Sequence, residues 1–277
     1  MIHEYVLNYN KSVDNHSFLA LAGTSFQEDK INTTYAEATD FPTDDFQGIS
    51  SGASPVTTNG GFSGDNLKSF FGSVNYNFDS RYYVTATFRG DGSSRFVNNQ
   101  WGYFPSVSVA WNLTEESFLQ DGFFDLVKLR ANWGQTGNNV IGNFSSRQLY
   151  GGGANYLDQP GIIPTQLGNP DLKWETTTSI NIGVDLGFID NRVGLNVDFY
   201  VKNTEDLLLN RPIPNTSGFG SVLQNVGEMK NTGLDITLNT LNVNTNDFQW
   251  ESTFTVGYLK NEIVKLVDGN PIDAGFA

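Results

Sequence analysis

Val193-Gly194-Leu195-Asn196-Val197-Asp198-Phe199-Tyr200-Val201-Lys202 decides the fold. In an extended chain Val193, Leu195, Val197, Phe199 and Val201 fall on one face, and Gly194, Asn196, Asp198, Tyr200 and Lys202 fall on the other. The split recurs at 70–78, where Phe70, Val74, Tyr76 and Phe78 oppose Ser69, Ser73, Asn75 and Asn77. At 82–91, Tyr82, Val84, Ala86 and Phe88 oppose Tyr83, Thr85, Thr87, Arg89 and Asp91. Segments 3–10, 17–26, 104–113, 126–135, 176–188, 232–241 and 250–260 complete a set of ten strands. Segment 17–26 is the least regular, because Phe18, Leu19, Ala20 and Leu21 put apolar groups on both faces.

The links between strands sort by length. Links 11–16, 79–81, 114–125, 189–192 and 242–249 are short, whereas 27–66, 92–103, 136–173 and 203–231 are mostly long. Alternation of this kind puts short turns at one end of an up-and-down meander and long loops at the other, the asymmetry of an outer-membrane barrel. It is weakest at 92–103 against 114–125. A charge on a lipid-facing position costs about 2 to 4 kcal/mol near the midplane. The faces carrying Asp198 and Lys202, or Arg89 and Asp91, therefore point to a wet lumen and the alternate faces to lipid. Trp111, Trp133, Phe188, Trp250 and Tyr258 stand where segments end, as in an interfacial aromatic girdle.

Composition agrees. The chain has 277 residues, 30 acidic against 16 basic, for a net charge of −14, and no cysteine. Disulfide-stapled folds and thiolate metal sites are excluded, and the charge disfavours nucleic acid as a partner. No run of 18 apolar residues marks a membrane-spanning helix, but barrel strands need only about 9 to 11 residues with every second one apolar. The N-terminal Met1-Ile2-His3-Glu4-Tyr5 lacks the form of a secretory signal.

Segment 27–66, with Glu28, Asp29, Glu37, Asp40, Asp44, Asp45 and Asp65, reads as a long acidic surface loop, and Thr114 begins a capping-box pattern that allows one short helical turn. Gly151-Gly152-Gly153 lacks the lysine and helix of a phosphate loop and reads as a loop tip. Neither histidine, His3 or His16, lies in a catalytic motif. No cofactor is expected, and the loop carboxylates show no spacing that singles out a Ca²⁺ site.

Several motifs add a resemblance. They begin with Phe88-Arg89-Gly90-Asp91-Gly92-Ser93-Ser94-Arg95-Phe96 and Trp101-Gly102-Tyr103-Phe104-Pro105-Ser106 leading to Ala110-Trp111. Lys128-Leu129-Arg130-Ala131, Gly134-Gln135-Thr136-Gly137-Asn138 and Gly168-Asn169-Pro170-Asp171-Leu172-Lys173-Trp174-Glu175 follow. Phe199-Tyr200, Thr204-Glu205-Asp206-Leu207-Leu208, Gly218-Phe219, Asn225-Val226-Gly227 and Asn231-Thr232-Gly233-Leu234-Asp235 continue the series. In this order, over about 67–265, they resemble the barrel of SusC/RagA-type TonB-dependent outer-membrane transporters.

The resemblance implies a 22-stranded barrel filled by an N-terminal plug, a TonB box ahead of it, and a SusD-type surface lipoprotein as a lid. It implies import of oligosaccharides or peptides across a Gram-negative outer membrane, with no covalent chemistry. Neither plug nor box is found in this sequence, and Asp268-Gly269-Asn270-Pro271 reads as a loop, so 1–277 is expected to be one partial barrel domain internal to a longer protein. The expected form is a curved, open ten-stranded antiparallel sheet with unpaired first and last strands. Tyr150 and Tyr156 are candidates to stack on sugar rings. Arg89, Asp91, Arg95, Arg130 and Glu175 are candidates to face the lumen or its rim, where loop packing and ion pairs are their alternative roles.

Two rival readings stand beside this one. A complete ten-stranded barrel acting as a surface protease needs a base at the extracellular rim, whereas His3 and His16 flank a short turn expected at the other end. A soluble glycan-binding sandwich needs strands of about 5 to 6 residues, and these run to about ten.

Overall fold

The computed structural model describes residues 1–119 and 122–266, which fold into fourteen antiparallel strands and three single turns of 3-10 helix. Ten strands form one sheet: β1 (Ile2–Val13), β2 (His16–Thr39), β3 (Ser54–Phe78), β4 (Tyr82–Ser93), β5 (Trp101–Asn112), β6 (Phe124–Asn138), β9 (Glu175–Phe188), β10 (Val193–Glu205), β13 (Glu228–Asn244) and β14 (Gln249–Lys265). The other four pair as hairpins within the long links, β7 (Leu149–Gly151) with β8 (Ile163–Gln166) and β11 (Leu208–Pro212) with β12 (Ser221–Asn225).

Each strand of the large sheet pairs with the next in chain order once the hairpins are passed over, with β1 and β14 at its two edges. It is an open meander, so the ten strands read from periodicity are the ten of the sheet. The four short strands lie in segments read as loops, where their three to five residues are too few to show a period. A sandwich is excluded among the described residues, because there is one large sheet and its strands run 12 to 25 residues.

Register carries the alternation across the sheet. Tyr76, Val84, Val109, Ala131, Ile182, Phe199, Leu234 and Tyr258 stand side by side through successive pairings. The neighbouring row on the opposite face is Asn75, Thr85, Ser108, Asn132, Asn181 and Tyr200. The apolar face is the open one, with Ile182 59% and Phe199 47% exposed, while in the polar row opposite Asn132 is exposed and the other five side chains are half-buried. Burial of apolar surface, which holds water-soluble folds together, is thus inverted on this sheet.

Several expectations need correction. Segment 27–66 is mostly strand: β2 and β3 stay paired from His16↔Phe78 to Thr39↔Ser54, leaving a loop only at 40–53. Threonine, glycine and acidic residues hid this ribbon, because a two-stranded arm paired on its backbone needs no apolar face. The 94–100 link is shorter than 113–123, so length alternation fails there although the order of the strands does not.

A 3-10 turn does form at Leu113–Glu115, but Asn112 precedes it without a side-chain cap, and the Thr114 hydroxyl accepts the Val127 N–H at 2.7 Å instead of capping. Trp133 and Tyr258 lie five and seven residues inside β6 and β14, since those strands run on to Asn138 and Lys265. His3 pairs with Phe26 at the end of β1 far from the turn, whereas His16 sits at the turn with Nδ1 2.8 Å from the Tyr76 hydroxyl. The reading of 268–271 as loop lies outside the described residues.

Aromatic side chains collect at both ends of the open face. Near the short turns Phe18, Tyr76, Phe78, Tyr82 and Trp111 form a contact chain with ring centroids 4.7 to 6.3 Å apart, His16 bridging Tyr76 and Phe78. Near the long links Phe70, Phe88, Trp101 and Tyr103 cluster at 5.4 to 6.5 Å. Ten residues separate Trp111 from Trp101 along β5. At about 3.3 Å per residue and a barrel tilt of about 40°, that is about 25 Å of height, the size of a barrel's apolar band.

Candidate functional site

The polar face is held by charge. The Arg130 guanidinium, on β6, donates Nε and Nη2 to the two Asp185 oxygens on β9 at 2.9 and 2.8 Å, and Nη1 and Nη2 to those of Asp198 on β10 at 3.0 Å each. Asn196 adds a donor to Asp185 at 2.7 Å. To reach β10 the arginine passes over Gly183, its partner on β9; a Cβ there would lie 2.5 Å from Asp198 Oδ1 and 2.8 Å from Arg130 Nη2. Bare backbone at 183 is what lets one side chain tie three strands. Charge-assisted, two-pronged bonds of this type are the strong ones.

Towards the long links the polar face rises into a packed cap. Phe96, Phe104, Ile141, Leu172 and Trp174 form the buried core of the described residues, with Leu67, Leu208 and Leu223 against it. Five of these eight side chains come from the motifs quoted above. Trp174 donates its indole N–H to the Gln100 carbonyl at 2.9 Å, and Asn98 joins Pro170 and Asp171. Asn225 ties Lys173 to Asp206 by donating to both carbonyls.

The sequence-selected residues divide among these places. Arg95 is a hub of the cap: it donates Nε to Asn143, Nη1 to the Asn139 carbonyl and Nη2 to Asp65. Glu175 accepts from Asn138 and from the Leu208 N–H, joining β9 to the second hairpin. Arg130 lies lower on the wall. Tyr150 and Tyr156 are 65% and 77% exposed in the 139–174 link, apart from the rest.

Arg89 and Asp91 act together, with Arg89 Nε on Asp91 Oδ2 at 2.7 Å and Nη2 on the Ser69 hydroxyl at 3.0 Å. Its guanidinium lies over the Phe71 ring, 5.5 Å from the centroid. The pair opens on a cavity of about 590 Å³ on the polar face of β4, β5 and β6, lined also by Thr87, Phe104, Asn132 and Gln135. That volume is within the about 300 to 1,000 Å³ of small-ligand sites.

Asp185 and Asp198, the acceptors of Arg130, and Asp65 and Asn143, the partners of Arg95, are not among the candidate site residues of the sequence, although it places Asp198 on the lumen face and Asp65 in the acidic 27–66 segment. The parity that puts Asp185 and Asp198 on the polar face was available; their meeting with Arg130 needed the register. Among the described residues no group of three or more His, Asp or Glu is placed to hold a metal ion.

The family model described as TonB dependent receptor-like, beta-barrel matches residues 3–275. TonB-dependent receptor P39 of Formosa agariphila is 37% identical over 283 residues, which is 98% of this chain and 27% of that protein. TonB-dependent receptor SusC of Bacteroides thetaiotaomicron is 38% identical over 217 residues, 75% of this chain and 22% of that protein. Among solved structures, the RagAB peptide transporter superposes with a TM-score of 0.90 at 32% identity, covering 97% of this chain and 30% of that one. The chain thus spans under a third of the length of these relatives.

Proposed function

We propose a transport role from one premise: the chain belongs to the TonB-dependent receptor-like β-barrel family. In this reading the sheet is a stretch of barrel wall in the outer membrane of a Gram-negative bacterium. Its open apolar face meets lipid and its polar face lines the path of an imported nutrient. The observation that carries it is the two-faced sheet itself, uncharged on the open side from Tyr82 to Phe88, Trp101 to Trp111 and Val193 to Val201, with charge pairs and a cavity on the other.

The cargo is an oligosaccharide or a peptide, the driving energy comes through TonB, and a SusD-type lipoprotein closes the outer mouth. Support comes from the likeness to SusC and from the likeness to RagAB, which is itself described as a peptide transporter. The wall does no covalent chemistry. Arg89 and Asp91 offer polar contacts beside the cavity, Tyr150 and Tyr156 offer exposed rings at the mouth, and Arg95, Arg130 and Glu175 hold those elements in place.

Uptake of labelled oligosaccharides and peptides by cells with and without the full-length gene tests the reading, each with and without a protonophore. Loss of one cargo class on deletion, and the same loss with protonophore, is expected. Unchanged uptake of both classes would refute it.

A further inference from the structure

We propose that Lys68 is the anchor of an anionic-lipid site on the open face of the sheet, binding the phosphate of an outer-leaflet headgroup; this rests on the membrane reading above. Register places His3, Phe26, Lys68, Gly92 and Trp101 side by side across β1 to β5. The next row towards the short turns is Tyr5, Thr24, Phe70, Gly90 and Tyr103, and the two rows after it carry no charge; the next lysine on this face, Lys11, stands near the short turns. Lys68 therefore sits where the apolar band ends.

Its depth can be read on its own strand. Phe78 belongs to the aromatic chain near the short turns, and Lys68 is ten residues further along β3, which corresponds to about 25 Å of height at a tilt of about 40°. If Phe78 marks one interface, Lys68 marks the other.

The ammonium group is free to take an anion. Lys68 is exposed, its Nζ stands 5.9 Å from the Phe26 ring centroid, and among the described residues it makes no ion pair. The acid in the row above, Glu28, is engaged by Lys30 at 2.7 Å. Asp65 and Asp91 lie on the opposite face, engaged by Arg95 and Arg89. The Trp101 indole lies over Gly92 beside the lysine, where a Cβ would come within 2.9 Å of the ring. A cation flanked by aromatic surface at the edge of an apolar wall holds a lipid at two points, phosphate on nitrogen and acyl chain on the rings below. A free phosphate meets only the first of these.

The test uses the full-length protein, purified and delipidated in detergent, with bis-phosphorylated lipid A, its dephosphorylated form and inorganic phosphate as probes, and bound lipid counted by native mass spectrometry. Phosphorylated lipid should bind, Lys68→Gln should weaken it about fivefold, the effect of one basic residue at an anionic surface, and Lys68→Arg should restore it. Equal binding of dephosphorylated lipid, full binding by Lys68→Gln, or full competition by inorganic phosphate would overturn the proposal. Absence of the protein from the outer-membrane fraction would overturn the membrane reading and this site with it, and is recorded before any lipid is added.

Discussion

Replacing Arg130 by methionine keeps an unbranched apolar stem and removes the cation that bridges Asp185 and Asp198. Both carboxylates reach the same Nη2, at 2.8 and 3.0 Å, so those oxygens are no farther apart than about the sum of the two. Two unit charges at about 5.8 Å repel by about 3 kcal/mol at an effective dielectric constant of about 20. The three side chains are 27%, 15% and 25% exposed, so water and salt screen part of this. The expected cost is about 2 kcal/mol, with Asp198→Asn added to the Arg130→Met variant recovering about half. Urea unfolding of the full-length protein in lipid vesicles measures it. A loss under about 0.5 kcal/mol, or no recovery in the double variant, would refute the idea that this triad ties β6, β9 and β10.

Ile182→Arg, on the open face, should cost about 2 to 4 kcal/mol in the same assay, whereas Asn181→Arg on the polar face should be tolerated; equal costs would undo the assignment of faces. Phe96 is fully buried against Trp174, so Phe96→Ala should loosen the cap by about 3 to 5 kcal/mol and speed proteolysis within 139–174, an effect to be followed by limited digestion. In the 113–123 link, hydrogen bonds from the Tyr82 hydroxyl and the Trp111 indole hold the Glu116 carboxyl below the usual carboxylate range. Its contribution is present above the unfolded value near about 4.3 and is lost as pH falls through the lower folded value. Trp111 fluorescence should follow that loss, and Glu116→Gln should flatten the profile below about pH 4.

The strands of the sheet were legible because their two faces differ, and any segment that alternates over ten residues declares itself. What escaped was structure without a two-faced burden. The ribbon of β2 and β3 beyond Glu28 and Asn66 has backbone pairing but no apolar face to signal it. The two short hairpins pack on the cap through single residues such as Leu208 and Leu223. In the site, Arg89 with Asp91 could be anticipated, since residues two apart on a strand share a face. Arg130 meeting Asp185 and Asp198 depended on how three strands align, which alternation alone does not fix. The motif residues Phe96, Leu172 and Trp174 turned out to build the cap's core, a role their place in loops concealed.

The absence of cysteine from this chain permits the most direct measurement. Single cysteines from Leu195 to Val201, in the full-length protein with any cysteine elsewhere replaced, would each carry a bimane label in vesicles containing brominated lipid. Positions 195, 197, 199 and 201 should be quenched and 196, 198 and 200 should not. Quenching without a two-residue period, or with the opposite parity, would contradict the assignment of the open apolar face to lipid.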